Sequence, residues 1–374
     1  MNERLVLGIM SGTSIDGVDY ALCRVKNGSI TLRAHWSAQF PDALRQTLHA
    51  AARGELKSHP LAQAHHDLGR FFARHAVQPN RSRSESPALV GLHGQTVFHN
   101  PDKRRSATLQ LGEPAYLVEQ LRVPVISNFR AADMAAGGQG APLATMFHQW
   151  VFAQRGQHIC VNNLGGISNV TSLDWRNDGS CPALLAFDTG PANVLIDLAM
   201  VSLSRGKFTM DKNGSWAARG APCEPLIDRW LGHAYFRRKP PKSTGREMFG
   251  EPFFKLVMRD MRRLAPYDKV ATLTEFTARS IALNYRLHLP TPPACLILAG
   301  GGAANPTLVA AITKQCAHGE TEVLTSDALG WPVQAIEPAA FALLAFLRMT
   351  GKPGNLPQTT GARRSVLLGA ENRY

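Results

Sequence analysis

The sequence predicts an α/β protein built as two lobes. Short apolar runs at residues 5–9, 88–92, 158–164 and 294–299 each give way to glycine-bearing turn residues, the pattern of strands that deliver loops to one edge of a sheet. Helical patterns, such as residues 193–203 and 338–348, alternate with these runs, which argues for interleaved strands and helices. At 374 residues the chain exceeds the size at which one hydrophobic core stops growing. Two lobes follow, with the cleft between them as the expected site.

The first run, residues 5–9, is too short for a signal peptide and reads as a buried opening strand. No apolar stretch approaches the roughly 20 residues that span a bilayer, so no membrane association is expected. The 44% hydrophobic and 18% charged composition is that of a globular enzyme, not of a disordered chain. Cys23, Cys160, Cys181, Cys223, Cys295 and Cys316 are widely spaced, without a C-x-x-C pair or zinc-type histidines. They read as reduced thiols of a cytoplasmic protein. The net charge of +13 comes from dispersed groups such as Arg237-Arg238-Lys239 and Arg363-Arg364. No basic stripe with interleaved aromatics accompanies it, so anionic small substrates account for the charge better than nucleic acid does.

Residues 81–86 and 176–181 have the composition of surface loops, and 351–360 is rich in glycine, proline and threonine. None reads as a flexible linker. There is no fixed-period repeat, although two halves can share an architecture without shared identity. The expected division is 1–134 plus about 348–374 as lobe one and 135–347 as lobe two.

Three glycine loops carry the chemistry. The first strand runs into Met10-Ser11-Gly12-Thr13-Ser14-Ile15-Asp16-Gly17-Val18-Asp19 before apolar alternation resumes at Tyr20. A strand, a tight turn of small residues and a second strand make a hairpin whose N–H groups can converge on a phosphate. Gly12, Thr13, Ser14, Asp16, Gly17 and Asp19 are its candidates. Asp16 and Asp19 stand where a hydrated magnesium ion would find oxygen ligands through water; the alternative is an ordinary turn whose aspartates bond their own backbone. After the strand at 158–163 comes a second such loop, with Gly165, Gly166 and Asn169. The third is a buried strand that empties into Gly300-Gly301-Gly302 and Asn305, bare backbone that can admit adenine and ribose, or else a flexible loop. None matches the P-loop or Rossmann fingerprints in their required context.

Two phosphate hairpins and a glycine-rich adenosine loop resemble the nucleotide site of the superfamily that holds actin, hexokinase-type sugar kinases and heat-shock chaperone ATPases. That resemblance implies a two-lobed actin-like ATPase (ribonuclease H-like) fold that closes on ATP and Mg2+. Longer stretches narrow it: Gly8 through Asp19, Gly94-Gln95-Thr96-Val97, the glycine-rich segment 129–143, Phe187-Asp188-Thr189-Gly190-Pro191-Ala192-Asn193 and Pro240-Pro241-Lys242-Ser243-Thr244-Gly245-Arg246-Glu247. In these the chain resembles the anhydro-N-acetylmuramic acid kinases over almost its whole length. The resemblance implies that water opens the 1,6-anhydro bridge of 1,6-anhydro-N-acetylmuramic acid while the freed 6-oxygen takes the γ-phosphoryl of ATP. It also implies a role in peptidoglycan recycling and amino sugar catabolism, and a homodimer. One departure is Pro338 after Glu337, which a helix tolerates in its first turn.

Phosphoryl transfer relies on positioning and charge stabilisation, so one base suffices. Asp188 ends an apolar run at a sharp turn and matches the family's catalytic aspartate; read without the family it is equally an N-cap. Arg130 can clamp the substrate's carboxylate or pair with Asp133. Lys242 and Arg246 either meet an anionic group or are solvated. Glu337 holds sugar hydroxyls or the attacking water, or is a carboxylate at a helix N-terminus. His93 lines the substrate site or sits hydrogen-bonded in the core. With Gln95 and Asp133 from the matching stretches, His93, Arg130 and Glu337 form the sugar-binding set. Two other readings keep the nucleotide residues: a kinase for an ordinary hexose hydroxyl, and an ATP-switched binding module without sugar-dependent turnover.

Overall fold

The computed structural model describes residues 3–12, 14–77, 86–102, 104–177, 179, 181–317 and 321–374. Thr13 and most of the loop at 81–86 therefore lie outside the described residues, as do residues 178 and 180 of the loop at 176–181. The chain divides into two compact units, Met1–Val151 with Gln334–Tyr374 and Phe152–Val333. The division falls at 151/152 and 333/334, where the sequence reading set it at 134/135 and 347/348, so residues 135–151 and 334–347 belong with the first unit.

The first unit holds a seven-stranded sheet. Its strands are β1 (Arg4–Ser11), β2 (Gly17–Lys26), β3 (Ser29–Gln39), β4 (Leu89–Asn100), β5 (Ala107–Leu111), β6 (Val125–Ser127) and, near the chain end, β12 (Ala370–Asn372). The order is β12-β6-β4-β1-β2-β3, with β5 paired to β4. Strand β1 runs antiparallel to β2 and parallel to β4. Side chains alternate across a strand. Leu7 and Ile9 accordingly join Tyr20, Leu48, Leu68 and Phe72 in the core on one face, which the amphipathic helices α1 (Asp42–Ala52) and α2 (Ser58–Ala76) help to build.

Gly8 points to the other face, where helix α13 (Val333–Met349) lies against the sheet. A Cβ on Gly8 would stand 1.7 Å from the Pro338 carbonyl oxygen, and one on Gly91 would stand 2.1 Å from that of Phe341. Both strands thus bring bare backbone onto bare helix. Helix α13 is buried almost all round, from Ala335 to Leu347, as expected of a helix packed into a large core. It begins at Val333, so Pro338 lies inside it and not in its first turn. The missing N–H leaves one carbonyl of the preceding turn without its helical partner.

The second unit holds a five-stranded sheet of β7 (His158–Leu164), β8 (Ile167–Asp174), β9 (Ala183–Pro191), β10 (Cys295–Ala299) and β11 (Glu322–Thr325). Its order is β11-β10-β7-β8-β9. An aromatic cluster of Trp230, Tyr235, Phe236, Phe249, Phe253 and Phe276 forms part of its core. The long helix α11 (Pro266–His288) is buried along much of its length.

The two sheets repeat one plan. In each, three antiparallel strands in chain order (β1-β2-β3 and β7-β8-β9) are followed by strands added in parallel beside the first. This is the ribonuclease H-like order of the two-lobed actin-like fold, present twice. Among the described residues no helix is long and apolar enough to cross a membrane, and all six cysteines are free.

Gly8→Ala is expected to destabilise the fold by about 2 kcal/mol or more, because neither the Pro338 carbonyl nor the β1 backbone can yield. Denaturant titration against the wild type checks it; a loss below about 0.5 kcal/mol would contradict this packing.

Candidate active site

Asp188 lies in β9 opposite Asn169 of β8, beside an irregularity in the pairing. Ser168 pairs with Gly190 and Asn169 with Asp188, so Thr189 is the extra residue of a β-bulge, a device that re-aims neighbouring side chains. The sequence reading put Asp188 at the entrance of a helix, but β9 continues to Pro191 and the residue before helix α6 (Asn193–Leu203) is Ala192. The N-cap alternative therefore falls.

A loop that the sequence left open clamps Asp188. The Thr244 N–H donates to Asp188 Oδ2 at 2.8 Å, the Asp188 N–H donates to the Lys242 carbonyl at 3.1 Å, and the Tyr235 hydroxyl donates to the Asp188 carbonyl at 2.7 Å. Burial pushes the Asp188 carboxyl up to about 6, assisted by Glu247 and opposed by the Thr244 N–H and by Lys242. Burial of a charged group explains the direction. A carboxylate with that value is mostly ionised at neutral pH and basic enough to take a proton.

Lys242 is buried, not solvated. Its ammonium donates to Asn284 Oδ1 at 2.6 Å and to the Phe236 carbonyl at 3.2 Å, and it lies 3.2 Å from His288 Nε2. Burial and Arg238 lower its pKa to about 8, while Asp188 opposes the shift. Asn284, from α11, also donates to the Thr189 carbonyl at 2.9 Å. One carboxamide therefore holds both the bulge and the lysine of the clamping loop. A second chain of bonds runs from Tyr285 to Asn162, on to Ser168 and so to Thr189. These partners make Lys242 a positioning residue here.

The other glycine loops of this unit are ordered. The Asn193 N–H donates to the Gly165 carbonyl and the Val194 N–H to the Gly166 carbonyl, so the hairpin tip caps α6. Across a trans peptide the Gly166 N–H points opposite to the Gly165 carbonyl, away from the helix. Gly300 takes φ 80 and ψ 167, open in practice only to glycine. A Cβ there would stand 2.2 Å from Asn163 Oδ1, and one on Gly302 2.7 Å from Leu164 Cβ, whereas nothing lies within 4 Å of one on Gly301. Residues 301–304 form a hydrogen-bonded 3-10 turn rather than a flexible loop. Asn305 caps helix α12 (Pro306–Cys316), its Oδ1 accepting from the Leu308 N–H at 3.0 Å.

In the first unit the β1–β2 hairpin carries Gly12, Ser14, Asp16, Gly17 and Asp19. Ser11 Oγ stands 2.8 Å from the Gly17 carbonyl and 2.5 Å from Gln95 Oε1, and Gln95 Nε2 donates to the Gly12 carbonyl at 3.1 Å. Gln95 is fully buried, so it braces the hairpin instead of presenting itself to a sugar. Ile15 at the tip has φ 57, a strained conformation for a β-branched residue, held by burial of its side chain in the core. Ser14 Oγ donates to Asp16 Oδ1 at 2.7 Å and Ser37 Oγ to Asp19 Oδ1 at 2.5 Å. Burial, then Asp16, raise the Asp19 carboxyl above its ordinary value against the Ser37 bond. A carboxylate raised by a second carboxylate nearby fits a divalent cation. Among the described residues no group of three or more His, Cys, Asp or Glu side chains could hold an ion alone, which suits a magnesium that takes most of its oxygens from phosphate and water.

Arg130 donates to His93 Nε2 at 3.0 Å from Nε and to the Gly140 carbonyl at 2.7 Å. Since Nε2 accepts, His93 carries its proton on Nδ1, which donates to the Gly94 carbonyl at 2.8 Å. Burial and then Arg130 hold its pKa well below the usual range. His93 is thus a buried, neutral support for Arg130. Arg130 has its own pKa lowered by burial to about 10, with Glu337 opposing. Glu337 is exposed on α13, in the helix body and not at its N-terminus; crowding by protein raises its carboxyl, Arg130 lowers it, and Asp19 raises it further. Asp133 does not pair with Arg130. It is fully buried and accepts from the Gly140 N–H at 2.8 Å and from Asn355 Nδ2 and Thr360 Oγ1 at 2.7 Å each, which ties the glycine turn to the chain end and leaves it no sugar to hold.

Sequence reasoning missed Thr244, Tyr235, Asn284 and Asp197. The last lies on α6, with its carboxyl raised by burial to about 6 against the pull of Arg246. Only the stretch from Pro240 to Glu247 signalled any of them.

A ribonuclease H-like sheet order present twice, with a glycine hairpin joining the first two strands each time, is the framework of the actin-like ATPases, and a desolvated carboxylate beside one hairpin suits a kinase of that class. A family model for anhydro-N-acetylmuramic acid kinase matches residues 4–373. The chain is 42% identical to the anhydro-N-acetylmuramic acid kinase of Acaryochloris marina, over 97% of this chain and 98% of that one. It is 40% identical to that of Cyanothece sp., over 99% of each. A solved structure, component A of (R)-2-hydroxyglutaryl-CoA dehydratase from Acidaminococcus fermentans, is 13% identical over 93% of this chain and 99% of that one, with a TM-score of 0.46, too distant to carry an argument. The chain belongs to the anhydro-N-acetylmuramic acid kinase family, and it is a kinase.

Because the folded protein raises the Asp188 pKa, ionised Asp188 lowers stability above about pH 6, and the effect vanishes below the unfolded value near 4. Asp188→Asn is therefore expected to stabilise the protein by about 1–3 kcal/mol at pH 8. The gain should shrink between about pH 6 and 4, as read by denaturant titration at several pH values; a gain independent of pH would contradict the shift.

Proposed function

We propose that the protein uses ATP and Mg2+ to convert 1,6-anhydro-N-acetylmuramic acid, with water, into N-acetylmuramic acid 6-phosphate and ADP. The reaction would serve recovery of cell-wall sugars in the cytoplasm. The observation that carries the reading is Asp188, a desolvated carboxylate near 6 fixed at a bulge by two backbone bonds, in a chain that matches the family from residue 4 to 373.

In this reading Asp188 takes a proton from water, whose oxygen attacks the anomeric carbon. The anhydro bridge opens, and the freed 6-oxygen attacks the γ-phosphorus as ADP departs. Asp16 and Asp19 would hold magnesium through water; when bound it neutralises phosphate charge. The N–H groups of the Gly165–Gly166 tip face a phosphate, and Gly300 to Gly302 admit the adenosine. Arg130, held rigid by His93 and Gly140, supplies the cation for the lactyl carboxylate. Glu337, exposed and close enough to sense Arg130, binds sugar hydroxyls.

ADP release by the purified protein with ATP and magnesium, with and without the anhydro sugar in ¹⁸O-labelled water, tests the reading. Labelled phosphosugar formed only with that substrate is expected. Asp188→Asn should lower kcat about 10²- to 10⁴-fold with ATP affinity retained. In the wild type, kcat/KM should fall tenfold per pH unit below about 6, as the base becomes protonated. Turnover of an ordinary hexose without label would sink the ring-opening reading.

A further inference from the structure

A cavity of about 270 Å³ lies in the second unit, between the last turns of α11 and α12 and the segment that joins α11 to β10. Ala282, Tyr285, Arg286 and Leu289 turn to it from α11, the i, i+3, i+4, i+7 spacing of one helical face. Asn284 and His288 face the other way, to the Lys242 ammonium of the loop that clamps Asp188. Strand β10 starts near the cavity at Cys295 and ends at Ala299, before the glycine loop. The cavity and the adenosine loop therefore stand at opposite ends of that strand, and one helix serves two separate places. The walls are mostly apolar, with Pro290, Pro292 and Pro293 supplying rigid rings. The buried Tyr285 ring is fixed, because its hydroxyl donates to Asn162 Oδ1 at 2.8 Å. Apolar surface held open in this way gains by being covered. An apolar cavity of about 150 Å³ takes benzene, so this one has room for about two fused rings.

The polar groups on the wall differ in what they have left to offer. Thr291 Oγ1 lies 3.3 Å from His158 Nδ1, and Gln315 Nε2 donates to Glu275 Oε1 at 2.6 Å. Burial pushes the Cys316 thiol up to about 12, so it stays neutral. Arg286 is exposed and close enough to Cys316 to oppose that shift, yet its guanidinium has neither an ion pair nor a hydrogen bond among the described residues. A guanidinium presents parallel N–H donors that match the two oxygens of a carboxylate. One such cation beside an apolar hollow complements a ligand with one negative charge and a flat apolar body. We propose that this cavity is a second ligand site, for a small aromatic carboxylate whose rings lie against Tyr285 and the prolines and whose charge meets Arg286. The site stands apart from the role given to Asp188 and does not depend on it.

Calorimetric titration of the purified full chain with 1-naphthoate, and with neutral 1-naphthylmethanol as the control without charge, tests the proposal. Wild type is expected to bind 1-naphthoate at one site with a Kd of about 1 mM or tighter, and the alcohol about tenfold more weakly. Saturating the protein with a non-hydrolysable ATP analogue and magnesium should leave that affinity unchanged. Arg286→Met should weaken 1-naphthoate about tenfold and leave the alcohol as it was. Arg286→Glu, a second variant at the same exposed position, should weaken it further and favour 1-naphthylmethylamine instead. Both variants should unfold at the wild-type temperature, since the guanidinium holds nothing in the fold. Wild-type affinity for 1-naphthoate in Arg286→Met, displacement of 1-naphthoate by the ATP analogue, or no saturable binding up to about 10 mM overturns the proposal.

Discussion

The hydrogen bond from the Thr244 N–H to Asp188 Oδ2, together with the one from the Asp188 N–H to the Lys242 carbonyl, ties strand β9 to the 242–244 segment. Much of the second unit is arranged to keep it. Asn284 reaches from α11 to both the bulge at Thr189 and the Lys242 ammonium, so the helix reads the strand and the loop at once. A backbone donor cannot rotate away as a side-chain donor can, and it favours the ionised carboxylate while burial opposes it. The balance leaves Asp188 near 6, basic enough for proton transfer and still charged at neutral pH.

The first unit answers a different demand. Its hairpin carries two carboxylates, Asp16 and Asp19, and holds its shape by strain fixed in a rigid frame. Ile15 adopts φ 57 with its side chain in the core, while Gln95 and Ser11 brace the loop from β4 and β1. Beneath it, Gly8 and Gly91 let α13 sit directly on the sheet. Glu337 is carried by that helix, so the close approach of backbone to backbone also sets where its carboxylate stands.

Much of this was legible in the sequence. Glycine ends the strands at both hairpins, and helix α6 falls on residues 193–203 as its periodicity indicates. The alternation of strand and helix gave the fold class, because period and turn chemistry are local. What was not legible depends on contacts distant in the chain. Asp133 and Gln95 look like polar site residues in a motif, yet their partners, Thr360 and Asn355 for one and Gly12 for the other, lie far away in sequence. Lys242 reads as an anion contact or a solvated charge until Asn284 and the Phe236 carbonyl are brought to it. Pro338 suggested a helix start because proline is usual there, but burial of α13 overrode the local preference.

Burial, answered by one backbone donor, sets the proton affinity of Asp188. The most direct measurement is a pH titration of ¹³Cγ-labelled aspartate by NMR, with Asp188 assigned by the signal lost in Asp188→Asn. A resonance that titrates near pH 6 and is absent from the variant is expected. An Asp188 resonance that titrates near 4, as a solvated carboxylate does, would contradict it.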